Sequence, residues 1–314
     1  MGFFKKFIKA VTDPKVIISA AITATAYYFL GPAGGASFAK AFGVSLASAG
    51  ALTALSPTPE LPDFSSFVSE GSGRTKMIKQ PITSRRAVYG EIRVSGPIVF
   101  IETIRDESVL NLIVALGSHE SNSIGDVFLD NDVLTLEGNG NCTAPSQYAN
   151  RVRIRKFTGT DTQEADPDLV SESTKWTADH KLSGITYIYA RLQFDADAFP
   201  TGIPNISCIL QGKKVKDTNG DIVFSKNPAH VIRDFLTNTQ FGLGVDPSEI
   251  DDTNFNAQAA ICDEDIPLSG GGTEKRYAFN GSLEASNSPK ETLSRMLTSC
   301  GGNIHYSNGK FKLK

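Results

Sequence analysis

Charge is almost missing from one long stretch: between Val16 and Pro59 the only charged residue is Lys40, while Lys5, Lys6, Lys9 and Lys15 precede it. A basic start followed by an apolar run has the outline of a secretory signal or a membrane span. The unbroken helical pattern, Val16 to Leu30, would however measure about 22 Å at roughly 1.5 Å per residue. That is short of the roughly 30 Å hydrocarbon core of a bilayer. Gly31-Pro-Ala-Gly-Gly35 then supplies a turn before a second stretch, Ser37 to Leu55, and the whole is rich in Ala, Gly, Ser and Thr, which suit close helix contact. The expectation is a helical hairpin over 1–56 packed against other protein, with bilayer insertion during a triggered step and a cleaved signal as the alternatives.

Cysteine is scarce as well. Cys142, Cys208, Cys262 and Cys300 form no CxxC pair, which argues against a zinc knuckle, a redox dithiol or a dense disulfide framework, and favours reduced thiols. The four histidines, His119, His180, His230 and His305, show no HxxxH or HExxH spacing that would aim two rings at one metal. Asp179-His180 could pair a base with its orienting acid, but neighbouring side chains point apart and no GxSxG nucleophile turn accompanies them. Gly138-Asn-Gly140 and Gly270-Gly-Gly272 fall short of a phosphate-binding fingerprint. A net charge of -3, from 31 basic and 34 acidic residues, gives no global field for nucleic acid or an acidic membrane surface. No cofactor, metal or catalytic set is expected, and the chain does not read as an enzyme.

What is present is a dense series of turn, cap and strand signals. Ser56-Pro-Thr-Pro-Glu-Leu-Pro62 and the small polar residues after it predict a linker over 57–81. From Arg86 the pattern turns to strands. Val88, Ile92 and Val94 alternate with polar neighbours, and Gly96-Pro97 suggests a hairpin into Ile98 to Ile104. Val109 to Leu116 reads as an apolar strand, and Asp130-Asn131-Asp132 as a tight turn. Arg151 to Lys156 places Val152 and Ile154 on one face and Arg151, Arg153 and Arg155 on the other, a basic face to be solvated or salt-bridged. Ile185 to Phe194 and Ile206 to Leu210 are further strands. Lys216 to Asp221 looks like the start of a calcium loop but has Pro228 where the bidentate acid belongs, so it reads as a hairpin turn.

After Lys226 helices are expected. Asn227 caps one, Pro228 takes its first position, Val231, Ile232, Phe235 and Leu236 form its apolar stripe, and Gly242 and Gly244 end it. Asp246-Pro-Ser-Glu249 and Ser288-Pro-Lys-Glu291 carry capping-box spacing. Leu293, Met296 and Leu297 form another stripe, closed by Gly301-Gly302. A final hairpin joins Ile304 and Tyr306 to Phe311 and Leu313 through Asn308-Gly309, and calls for a longer parent chain or another subunit to complete its sheet. The predicted fold is α+β and β-rich, with a β body over 82–225 and an α+β part over 226–314.

The order of these pieces resembles the N-terminal hub region of the bacteriophage tail-tip hub family, the lambda-type host-specificity (tip attachment) protein J family. The resemblance runs from Arg85-Arg-Ala-Val-Tyr-Gly-Glu-Ile-Arg-Val-Ser-Gly-Pro-Ile-Val-Phe100 through Gly159-Thr-Asp-Thr-Gln163, Trp176-Thr-Ala-Asp-His180 and Phe199-Pro-Thr-Gly-Ile-Pro204. It closes with Asn227-Pro-Ala229, Phe241-Gly-Leu-Gly244 and Cys300-Gly-Gly-Asn-Ile-His-Tyr306.

It implies β-barrel-like hub domains with short capped helices, assembled as a homotrimer that closes the distal end of a tail tube. The implied partners are a distal tail protein, a tape-measure protein and other tail-tip proteins. In such an assembly Ile18, Ile22, Tyr27, Phe29, Phe38 and Phe42 would meet at the trimer axis or the tape-measure protein, and 16–56 could touch a host membrane. Pro200, Gly202, Pro204, Asn227, Pro228, Gly242 and Gly244 would serve as structural turns. The resemblance covers only the start of a lambda-like protein, so receptor binding is not carried by these residues. A secreted or surface-anchored adhesin shares the β-rich body, and a sugar-cleaving enzyme would need paired carboxylates in one cleft.

Overall fold

The computed structural model describes residues 75–78, 83–200 and 202–314. The expected helical hairpin over 1–56, most of the 57–81 linker, and with them Ile18, Ile22, Tyr27, Phe29, Phe38 and Phe42, lie outside the described residues.

The chain enters through β1 (Arg86–Tyr89), bends at Gly90 into β2 (Glu91–Val94), and crosses at Gly96-Pro97 into β3 (Ile98–Ile104). Then follow β4 (Val109–Gly117), β5 (Ser121–Leu129), β6 (Asp132–Val133), β7 (Thr135–Leu136), β8 (Cys142–Ala144) and β9 (Val152–Phe157). A short helix, α1 (Pro167–Glu172), precedes β10 (Thr186–Gln193), β11 (Ile206–Lys216) and β12 (Ile222–Phe224). One antiparallel sheet has the order β3-β4-β10-β9. The other is built on β11, with β5 along one side and β2 and β12 sharing the other.

Period-two alternation decides which side chains meet between these sheets. Leu110, Leu112, Val114 and Leu116 of β4 and Ile188, Ala190 and Leu192 of β10 face Ile124, Val127 and Leu129 of β5 and Ile206, Cys208 and Leu210 of β11 in one core. Each Val, Leu or Ile side chain among them, fully buried, contributes about 1.5–3 kcal/mol. The opposite face of the first sheet is covered too. Ile113, Tyr187 and Tyr189 pack under Leu169 of α1 and Trp176, so β4 is buried on both faces and reads as a nearly continuous apolar run.

The second half has its own core. Helices α2 (Pro228–Thr237), α3 (Asp252–Cys262) and α4 (Pro289–Thr298) gather with β13 (Asp265–Pro267), β14 (Thr273–Lys275), β15 (Gly281–Glu284), β16 (Ile304–Ser307) and β17 (Lys310–Leu313). Val231, Ile232, Phe235 and Leu236 of α2 are buried against Phe255, Met296 and Leu313. The β-rich α+β class expected from the sequence is borne out.

Strand β1 joins the two halves. It pairs antiparallel with β15, Arg86 opposite Glu284 and Tyr89 opposite Gly281. Val88 points into the core of the first half while Ala87 and Tyr89 point into that of the second.

Three local expectations are corrected. Strands β2 and β3 form no hairpin, because β2 pairs with β11 and β3 with β4. Gly96 lies at this crossing, where a Cβ would fall 1.8 Å from the Ala115 carbonyl oxygen. Asp246-Pro-Ser-Glu249 makes only a 3-10 turn over Pro247–Glu249, and α3 starts later, with the Asp251 carboxylate accepting from the Asn254 N–H at 3.0 Å. Ser288 occupies the cap position of α4 without a side-chain cap bond.

Candidate assembly interface

The arginine face of β9 is neutralised from within. Arg153 and Arg155 reach Asp168 at 3.3 and 2.8 Å, Arg155 also lies 3.8 Å from Asp166, and Arg151 meets Asp195 at 2.6 Å. Beside them Arg191 of β10 pairs with Glu172 at 3.0 Å, the two side chains only 12% and 17% exposed. Arg155, bonded to Asp168, holds that carboxyl below its usual range, whereas burial pushes Asp166 up. Asp166 also caps α1, accepting from the Leu169 N–H at 2.9 Å. The strip from Asp166 to Trp176 is thus clamped over the outer face of the first sheet. Trp176 lies between the rings of Phe100 and His180, at 4.9 and 4.7 Å. Each arginine of this face thus has a carboxylate of its own chain within ion-pair distance.

A second polar cluster bolts the halves together. Asp234 of α2 accepts from the Tyr89 hydroxyl at 2.6 Å and from Lys213 Nζ of β11 at 2.5 Å. Burial, followed by Asp234, raises the Tyr89 pKa well above its ordinary value. Nearby, buried His119 accepts from the Val88 N–H through Nε2 at 2.9 Å, which leaves Nδ1–H to donate to the Glu120 carbonyl at 2.9 Å. Burial lowers the His119 pKa to about 4.

The turn residues singled out in the sequence sit at the ends of core elements. Asp195 Oδ1 accepts from the Asp197 and Ala198 N–H groups, and Gly202, at φ 97°, leads into buried Pro204, whereas Pro200 is exposed. The Asn227 side chain accepts from the Ala229 N–H at 3.0 Å and donates to the Ala259 carbonyl of α3 at 2.9 Å; Pro228 fills the first turn. Helix α2 ends at Thr237, before the glycines. The following loop folds back so that Leu243 and Val245 N–H groups reach the Phe235 and Leu236 carbonyls at 3.0 and 2.8 Å. At Gly242 a Cβ would lie 1.7 Å from the Phe235 oxygen, and Gly244 has φ 63°.

Among the described residues no group of three or more His, Cys, Asp and Glu is placed to hold a metal ion. His180 Nδ1 faces Thr177, accepting from its N–H at 3.0 Å. His230 is buried between Thr218 and Ser225, at 3.1 and 3.0 Å, and burial lowers its pKa. The four cysteines are unpaired, and burial pushes the Cys208 and Cys262 thiols to about 12 and about 11.

What the surface offers instead is strand edges and isolated apolar side chains. Among the described residues strand β12 pairs only with β11, and it exposes Ile222 and Val223. Among the described residues β13 and β14 pair with each other alone, and every residue in them except half-buried Ile266 is exposed. β17 is seated on the body, where its Phe311 carbonyl accepts from the Asp251 N–H at 3.0 Å and its Leu313 N–H donates to Asn254 at 2.7 Å. β16 therefore forms the outer edge of that hairpin, carrying exposed Tyr306. Periodicity did not single out these edges, because a strand's pairing partners are not written in its own alternation.

Two comparisons with known proteins found similar chains. The chain is 30% identical over 152 residues to the tip attachment protein J of Escherichia phage SECphi27, a match covering 40% of this chain and 12% of that protein. Its fold is similar to a chain from the virion of a native gene transfer agent particle, with a TM-score of 0.50, 13% identity, and coverage of 82% of this chain and 56% of the other. The chain therefore spans about an eighth of the length of the curated relative and just over half of the solved one. No protein-family model matches. Both similar proteins are virion components, and the sequence resemblance to phage tip attachment proteins is borne out by the first of them.

Proposed function

We propose that this chain is a structural component of a phage tail tip, the central or baseplate hub, which closes the distal end of the tail tube and supports host attachment and DNA delivery. The observation that carries this reading is the 30% identity to a tip attachment protein J. The fold similarity to a virion chain over 82% of this one agrees with it. The chain's polar chemistry is spent on holding itself together. Arg151, Arg153, Arg155 and Arg191 are bound by their own acids, and β1 ties the two halves into one scaffold.

In this reading the hub is a homotrimer assembled in the bacterial cytoplasm, contacting the distal tail protein, the tape-measure protein and other tail-tip proteins. Ile18, Ile22, Tyr27, Phe29, Phe38 and Phe42 would lie at the threefold axis or against the tape-measure protein, and 16–56 is the segment for any host-membrane contact. Pro200, Gly202, Pro204, Asn227, Pro228, Gly242 and Gly244 fix the scaffold's turns. Electron microscopy of phage particles carrying a gold-labelled antibody against this chain tests the reading: label at the tail tip is expected, and label elsewhere, or none on intact particles, refutes it.

A further inference from the structure

Strands β13 and β14 make an arm that stands off its own body. Their three facing pairs, Asp265 with Lys275, Ile266 with Glu274 and Pro267 with Thr273, are in register. The root is tied by Arg276 N–H to the Glu264 carbonyl at 2.9 Å and by Tyr277 N–H to the Cys262 carbonyl at 3.2 Å. The charged side chains that brace it, Lys275 with Asp265 and Arg276 with Glu264, are surface pairs, which contribute little. A lone two-stranded hairpin is marginal in water. This one also exposes Leu268 beyond half-buried Ile266.

The same chain carries a surface of matching chemistry. The outer edge of β16 pairs with no strand among the described residues, and Tyr306 on it is 56% exposed, propped edge-on against Phe311 at 4.8 Å. Lys310 and Lys314 lie on the neighbouring strand and at its end, both exposed. The arm is opposite in sign at its exposed Glu274, and so is exposed Asp263, which caps the C-terminal end of α3 at the arm's root. Within one copy the arm and β16 belong to separate two-stranded sheets.

We propose that the β13–β14 arm of one copy docks on the free edge of β16 in the next copy. Arm backbone extends the β16–β17 sheet, Ile266 and Leu268 cover Tyr306, and Asp263 and Glu274 meet Lys310 and Lys314. Edge-to-edge strand addition supplies the backbone bonds, and the opposite charges set which copy docks on which. The contact is heterologous, so repeating it generates a ring if the rotation closes. It rests on the multimeric reading given above and names the surfaces that reading leaves open.

The test is sedimentation velocity of the full chain with two charge-reversed variants, D263K/E274K on the arm and its root and K310E/K314E on the face. Wild type should self-associate, and less so at high salt. Each variant alone should associate roughly tenfold or more weakly, as when like charges replace opposite ones across a contact. An equimolar mixture of the two should associate more strongly than either variant alone, because every mixed contact pairs opposite charges, but less than wild type, because a ring of three copies keeps one like-charged contact. Circular dichroism of each variant separates lost docking from lost folding. A monomeric wild type, or variants that associate like wild type, overturns the proposal. So does a mixture no better than its parts, as expected if some other partner or chain segment occupies β16. None of these outcomes touches the virion assignment, which fails only if particles lack the chain at the tail tip.

Discussion

The backbone N–H of Val88 donates to the buried Nε2 of His119 at 2.9 Å, so a histidine fixes the strand that both halves share. A protonated ring could not accept this bond, and burial holds the His119 pKa down at about 4 against an ordinary 6.5. The folded state binds this proton less readily than the unfolded chain. The stabilisation is therefore complete above about pH 6.5 and is lost as the pH falls toward 4, with a size on the order of 3 kcal/mol. His230, also lowered by burial, acts in the same direction. Urea denaturation between pH 7.5 and 4 should show wild type losing stability faster than His119→Gln, which starts less stable and has a shallower slope. Parallel slopes would remove His119 from the account.

Asp234 should behave as a bolt between the halves. It holds Tyr89 of β1 and Lys213 of β11 from α2. Asp234→Ala leaves the Lys213 ammonium and the Tyr89 hydroxyl without this acceptor and should cost about 3 kcal/mol. Tyr89→Phe removes one bond with its donor and should cost about 1 kcal/mol. Equilibrium denaturation of the two variants checks both size and order.

Two glycines separate close approach from mere flexibility. Gly242→Ala forces a Cβ toward the Phe235 carbonyl oxygen, 1.7 Å away, and should destabilise by about 2–3 kcal/mol. Gly138 has nothing within 4 Å of its would-be Cβ, so Gly138→Ala should stay within about 0.5 kcal/mol of wild type. Thermal melting distinguishes the two.

Asn227 does two jobs, capping α2 and reaching the Ala259 carbonyl of α3. Asn227→Ser keeps a capping oxygen but loses the reach, whereas Asn227→Ala loses both. Ala should cost about 2 kcal/mol and Ser about half of that, read by chemical denaturation.

These elements also mark what could be read in the sequence. Asn227-Pro228 and the stripe from Val231 to Leu236 announce α2 because capping and periodicity are local, and the Arg151, Arg153 and Arg155 face of β9 follows from alternation alone. Its partners do not: Asp166, Asp168 and Asp195 arrive from separate loops. The pairing of Arg86 with Glu284 spans 198 residues, and the Gly96-Pro97 signal marks a crossing between sheets that looks locally like a hairpin turn. The polar bolt at Asp234 was missed because its three members lie on three elements, and because alternation placed Tyr89 with the polar neighbours Glu91 and Arg93 although its ring is fully buried. The candidate assembly surface was legible in part, as the terminal hairpin in want of a partner, while the projecting arm gave no signal beyond Gly270-Gly-Gly272.

The central claim, a scaffold chain built into a phage tail tip, is tested most directly by cryo-electron microscopy of the distal end of the tail. The account predicts density there into which residues 83–314 fit as one body, β1 joined to β15, in several copies around the tail axis. A tip resolved to side chains in which no such body fits would contradict it.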